Sequence, residues 1–249
     1  MSVRCRKKIN FMGRAFEYRK ARKMKRWAGM AKTFTKIGRE ISMAVKAGGP
    51  DPDNNPRLRA AIQNAKTANM PKANVENAIK KASEKDSENY DEVVYEGYAP
   101  NGIAVLVETA TDNPTRTVAN VRHVFSKYGG SLGTQGSVDY MFERKGVFTV
   151  EKGENDLEDL ELALIDFGLE EIKEEDGDLI LKCDFTDYGN LSKGIEELKL
   201  EVKESGTERI PMHSKSLNDD ETDEVIKLLD KMEEDDDVLN VFHTMNMDD

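Results

Sequence analysis

The side chains best suited to chemistry in this sequence are basic, and they crowd one end of the chain. Arg14, Arg19, Lys20, Arg22, Lys23, Lys25, Arg26, Lys32, Lys36 and Arg39 come first, and Arg57, Arg59, Lys66 and Lys72 extend the set. Over residues 1–46 there are 15 lysines and arginines against 2 acids. At that density the chemistry on offer is neutralisation of phosphodiester charge with release of counterions, which gives strong, salt-dependent and largely sequence-blind binding. These fourteen residues are the candidate nucleic-acid-binding set. A solvated helix face is the plainer reading of scattered basic residues, but like charges packed this closely need a counter-charge. An anionic lipid surface fits less well, because the apolar positions among the charges are Ala, Met and Tyr rather than a Leu or Phe wedge. Trp27 could stack on a base, although a lone tryptophan at helical spacing is more commonly a core residue.

Catalytic constellations are thin. His123, His213 and His243 lie far apart with no H-E-x-x-H pattern, and Cys5 and Cys183 belong to no C-x-x-C pair. Neither a metal site nor a disulfide framework is signalled. The acid runs at 219–221 and 233–237 read as solvated helix ends before they read as cation ligands. Gly129, Gly130, Gly133 and Gly136 form a glycine-rich stretch that leaves a helix and enters a strand, the reverse of a phosphate loop, so a helix cap and turn are expected there. The expectation is a protein that is not an enzyme, with no catalytic residue, metal, cofactor or small-molecule substrate.

The net charge of −11 would argue against a nucleic-acid partner if it were evenly spread. It is not. Residues 1–85 hold 22 lysines and arginines against 6 acids, a net of +16, so the remaining 164 residues hold 15 against 42, a net of −27. Charge separated in this way marks a nucleic-acid or membrane partner for one part of the chain, and the acidic part would be repelled by phosphates. The longest apolar run, 103–107, is far below the roughly 18 residues of a spanning helix. No membrane partner and a cytoplasmic, reducing location are therefore expected.

The elements that must position the basic residues follow from periodicity. Across 14–46, Tyr18, Ala21, Met24, Ala28 and Ala31, then Phe34, Ile37, Ile41 and Ala44, recur every three or four residues, which predicts helix up to the stop at Gly48, Gly49 and Pro50. Asn55-Pro56 opens a second helix through Leu58, Ile62 and Ala65, and Pro71 a third through Val75, Ala78, Ile79 and Ala82. On the second helix Arg57, Arg59, Gln63 and Asn64 could read base edges, although 69–71 is not a short glycine turn of the helix-turn-helix kind. Beyond a polar linker at 84–92, strands are expected at 93–98, 103–109 and 138–142, with a helix at 118–128. After Gly146 the order is strand 147–150, helix 157–167, strands 169–173 and 179–183, helix 191–198, strand 200–202, the β-α-β-β-α-β order of a split ferredoxin-like unit. A helix at 221–232 and a strand at 238–245 would complete the earlier piece around it.

Five motifs carry a family resemblance. They are Asn55-Pro56-Arg57-Leu58-Arg59-Ala60-Ala61-Ile62; Ala68-Asn69-Met70-Pro71-Lys72; Tyr95-Glu96-Gly97-Tyr98; Thr111-Asp112-Asn113 with Arg116-Thr117; and Gly129-Gly130-Ser131-Leu132-Gly133 with Gly136-Ser137-Val138. In this order, from about Ala28 to the C-terminus, the chain resembles the YebC/PmpR family, which includes a mitochondrial translational activator of cytochrome c oxidase. Lys32, Thr33, Phe34, Thr35 and Lys36 fall on the family's Phe-Thr-Lys segment, while Gly13-Arg14-Ala15-Phe16-Glu17 stands where bacterial relatives have Gly-His-Ser-Lys-Trp. The resemblance implies DNA-binding transcriptional regulation or, alternatively, a translation factor bound to ribosomal RNA on the ribosome. Residues and resemblance together predict an α+β protein: a helical N-terminal domain followed by two ferredoxin-like α/β domains, one inserted in the other. The expected boundaries are a basic arm at 1–11, a basic helical domain at 12–85, a discontinuous α/β domain at 92–145 with 209–249, and the insert at 146–208.

Overall fold

The computed structural model describes residues 30–84, 89–153 and 155–247. Arg14, Arg19, Lys20, Arg22, Lys23, Lys25, Arg26 and Trp27 lie outside them, as does the basic arm.

Three helices form the N-terminal unit: α1 (Met30–Gly48), α2 (Pro56–Thr67) and α3 (Lys72–Ser83). Ile37, Ile41, Ala44 and Val45 of α1 meet Leu58, Ala61 and Ala65 of α2 and Val75 and Ala82 of α3 in one apolar core. Buried Asn55 joins the first two helices. Its side-chain oxygen accepts from the Leu58 amide at 3.0 Å, while its Nδ2 donates to the carbonyls of Ala44 (2.7 Å) and Gly49 (2.9 Å). One side chain thus satisfies the start of α2 and the end of α1. Gly48 is required at this joint, because a Cβ there would stand 2.7 Å from the Asn55 amide.

The first sheet holds β1 (Asp91–Tyr98), β2 (Ala104–Thr111), β3 (Ser131–Leu132) and β8 (Val238–His243) in the order β3-β1-β2-β8, all neighbours antiparallel. Helices α4 (Pro114–Lys127) and α7 (Asp219–Glu233) cover one face, where Val121, Phe125, Leu228 and Leu229 pack on Val105 and Val107. Where β3 meets β1, the chain backbone comes so close that a Cβ on Gly130 would stand 2.5 Å from the Tyr98 carbonyl.

The second sheet holds β4 (Phe142–Glu151), β5 (Leu169–Glu175), β6 (Asp178–Asp184) and β7 (Val202–Pro211) in the order β5-β6-β4-β7. This unit interrupts the first, whose strands come from both sides of it in sequence, and its strand order with α5 (Leu157–Ile165) and α6 (Tyr188–Glu197) is that of a ferredoxin-like split βαβ fold. The β4–β7 ladder runs from Phe142↔Pro211 to Val150↔Val202, reaching beyond the expected boundaries at 145 and 209. The strand expected at 138–142 is instead a short 3-10 turn, Asp139–Met141, leading into β4, and 147–150 is the far half of that same strand. The amides of Val138 and Asp139 are taken by the Glu96 carboxylate at 2.7 and 2.9 Å and cannot enter a ladder.

Candidate nucleic-acid interface

The described members of the basic set fall into two groups. Lys66 and Lys72 project into solvent, Lys72 being 91% exposed beside Glu76, with a 3.5 Å ion pair one turn on. The others are engaged within the chain. Lys32 Nζ donates to the Glu234 carbonyl at 2.8 Å, Lys36 is half-buried with a contact of its own, and Arg57 pairs with Glu92 across an exposed surface. Arg59 Nη1 donates to the carbonyls of Pro52 (3.0 Å) and Asp53 (2.9 Å), and its Nε lies 3.5 Å from the Glu196 carboxylate.

Arg39 is the most heavily committed. Its Nη1 reaches the Ala110 carbonyl at 3.0 Å, the Asp236 carbonyl at 2.5 Å and Asp237 Oδ1 at 2.9 Å, and its guanidinium stands 5.2 Å from the centre of the Tyr90 ring. Asp237, which the sequence hides at the end of a run of five acids, is almost fully buried. Arg116 Nη2 (2.7 Å) and the hydroxyls of Thr117 (2.7 Å) and Thr111 (3.2 Å) complete its shell. Burial opposes ionisation of this carboxyl, but hydrogen bonds from Arg116 and Thr117 with the Arg39 charge outweigh it, and its pKa lies below the usual carboxylate range. The Thr111-Asp112-Asn113 and Arg116-Thr117 motif is therefore the seat of a carboxylate from the far end of the chain. A signal was present in the sequence, since Val238 and the strand residues after it draw Asp237 inward.

The candidate base readers on α2 are likewise occupied. Gln63 Nε2 donates to the Val202 carbonyl at 2.5 Å, Asn64 donates to the Ser205 carbonyl at 2.7 Å and accepts from its amide at 3.0 Å, and Thr67 donates to the Lys203 carbonyl. This face of α2 lies along the outer edge of β7 and is closed to a DNA groove.

The glycine-rich loop after α4 has the expected cap geometry, with Gly129 at φ 78° and the Gly130 amide donating to the Phe125 carbonyl at 2.8 Å. It also cradles an anion supplied by the chain itself. Glu96, buried on β1, accepts from the amides of Gly136 (2.6 Å), Val138 and Asp139. Burial raises the pKa of Glu96, but these three amides and the nearby Arg209 charge outweigh it and hold it low. The cradle is filled, which leaves no room for a phosphate. Among the described residues no group of three His, Cys, Asp or Glu side chains has the geometry of a metal site, and no helix is long and apolar enough to cross a membrane.

Comparison with known proteins matches this architecture. Residues 14–85 fit the family model described as the TACO1/YebC protein N-terminal domain, and residues 90–245 fit that of the TACO1/YebC second and third domain. A protein of Flavobacterium johnsoniae named as a probable transcriptional regulatory protein is 58% identical over 94% of this chain and 99% of its own length. One of the same name from Porphyromonas gingivalis is 55% identical over 94% and 97%. The crystal structure of a conserved hypothetical protein from Aquifex aeolicus superposes with a TM-score of 0.77 at 41% identity, over 87% of this chain and 90% of that one. The chain belongs to the TACO1/YebC family.

Proposed function

We propose that this chain is a non-catalytic regulator of gene expression that binds DNA through the phosphate backbone, with the basic N-terminal domain as its contact surface. The observation that carries this reading is the segregation of charge, +16 in residues 1–85 against −27 in the rest, with Lys66 and Lys72 open to solvent. Engagement of Gln63 and Asn64 on β7 supports a sequence-blind mode, since direct readout needs free donors and acceptors presented to a groove. The names of the bacterial relatives support a role in transcription.

The engagement of Gln63 and Asn64 also favours one second reading, ribosomal RNA, where backbone and shape contacts suffice. Binding of labelled 30-mers of duplex DNA and of structured RNA, followed by fluorescence anisotropy across a salt series, separates the two. About five neutralised phosphates would give a slope of log affinity against log salt near −4.5 on duplex DNA. Replacing Arg19, Lys20, Arg22 and Lys23 together with Glu is expected to abolish binding. Retention of binding in that variant, or a flat salt response, would overturn the reading. Clear preference for RNA, with RNase-sensitive comigration with ribosomes on a sucrose gradient, would transfer it to translation.

A further inference from the structure

Outside the basic domain the chain is acidic, and one helix departs from that rule. None of the 14 residues of α4, Pro114–Lys127, is Asp or Glu, whereas its neighbour α7 carries Asp219, Asp220, Glu221, Asp223, Glu224, Asp230 and Glu233. Thr117, Val121, Val124 and Phe125 form the buried face of α4. Arg122, His123, Ser126 and Lys127 therefore lie on the opposite side, and all four are exposed. Neither Arg122 nor Lys127 forms an ion pair with any described residue; Lys127 stands 5.7 Å from the centre of the Tyr128 ring.

The place of this helix in the fold matters as much as its charge. Its first turns lie against the 235–237 segment, where Arg116 holds Asp237 and Asn120 Nδ2 donates to Asp235 at 3.1 Å. Residues 234–237 also receive Lys32 and Arg39 from α1, at the main-chain carbonyls of Glu234 and Asp236 and at the Asp237 carboxylate. In the acidic seam between α1 and α4 the Asp237 carboxylate is thus ion-paired with Arg39 and Arg116 and that of Glu234 with Lys231 at 2.6 Å, while Asp236 is exposed. An anionic polymer following α1 would meet α4 next, across a seam in which two of the four carboxylates of residues 234–237 are ion-paired.

We propose that the outward face of α4, with Arg122 and Lys127 as its charged contacts, is a second surface for the phosphodiester backbone, adjoining the basic N-terminal domain. The inference rests on the nucleic-acid reading above and adds to it that the first α/β domain shares in the binding.

The test uses the full chain with Arg122→Gln and Lys127→Gln combined, and as control Lys193→Gln with Lys199→Gln, two exposed lysines of the inserted domain. Circular dichroism confirms that each variant folds. Anisotropy on a 30-bp DNA duplex and on an RNA of equal length is then read across a salt series. Each lost phosphate contact lowers the steepness of the salt dependence by about 1, so a change of about 2 is expected for the α4 pair and none for the control. An unchanged slope in the α4 variant, with salt-dependent binding by the wild type, would overturn this inference and leave the N-terminal reading intact. Equal losses in both variants would overturn it as well, since they would show a diffuse field effect. No binding by the wild type would overturn both readings.

Discussion

The N-terminal domain is attached to the rest of the molecule twice, and the two attachments are of opposite kinds. Toward the first α/β domain the joint is ionic and buried: Arg39 and Arg116 converge on Asp237 with two threonine hydroxyls. Toward the inserted domain it is mainly neutral and peripheral: Gln63, Asn64 and Thr67 bond backbone groups on the edge of β7, with one longer ion pair from Arg59 Nε to Glu196 at 3.5 Å. A buried charge cluster has high stakes, because removing one member strands the others in low dielectric. A seam of side-chain amides on main-chain groups spreads its contribution over several modest bonds. The ionic joint therefore sets which residues are indispensable, while the neutral one sets alignment.

Substitutions can sharpen this contrast. The largest effect is expected for Asp237→Ala, which removes the buried acceptor shared by two arginines and two hydroxyls and should cost about 3–5 kcal/mol. Urea unfolding monitored by fluorescence checks it, and a loss under 1 kcal/mol would show that water enters the cluster. Asn64→Ala should cost about 1–3 kcal/mol, with faster hydrogen exchange confined to 202–205. Exchange accelerated throughout the N-terminal domain would show instead that this seam, and not Arg39, holds the domain in place.

Acid is expected to have the mildest effect. Asp237 and Glu96 are both held below their ordinary pKa, so each contributes stability that is complete above the unfolded values of about 3.9 and 4.3 and is lost as pH falls through the lower folded values. Thermal midpoints should be level from pH 7 to 5 and fall below about pH 4. Asp237→Asn should flatten part of that fall, and an unchanged acid slope would assign it to other carboxylates.

Much of the architecture was legible because its signals are local. Asn55-Pro56 marks the start of α2 by a cap that needs only neighbouring residues, and the alternation of elements after Gly146 reports the split order of the inserted unit directly. What stayed hidden depends on partners remote in sequence. Val138 to Phe142 looks like a strand until Glu96, some 40 residues earlier, takes its amides. Arg39 looks like one more phosphate-binding residue until Asp237, 198 positions later, claims it. Charge density identified the basic domain correctly as a region of like charge, but density alone cannot tell an open lysine such as Lys72 from an arginine already committed within the fold.

The docking of α2 along β7 has one more consequence. β7 lies at the rim of its sheet, and a rim strand with bare N–H and C=O groups is a template on which another chain can build. Asn64, Gln63 and Thr67 occupy those groups between Val202 and Ser205. The basic domain is thus also a stopper against self-association, and a molecule lacking residues 1–84 would be left with a sticky margin as well as without its positive charge.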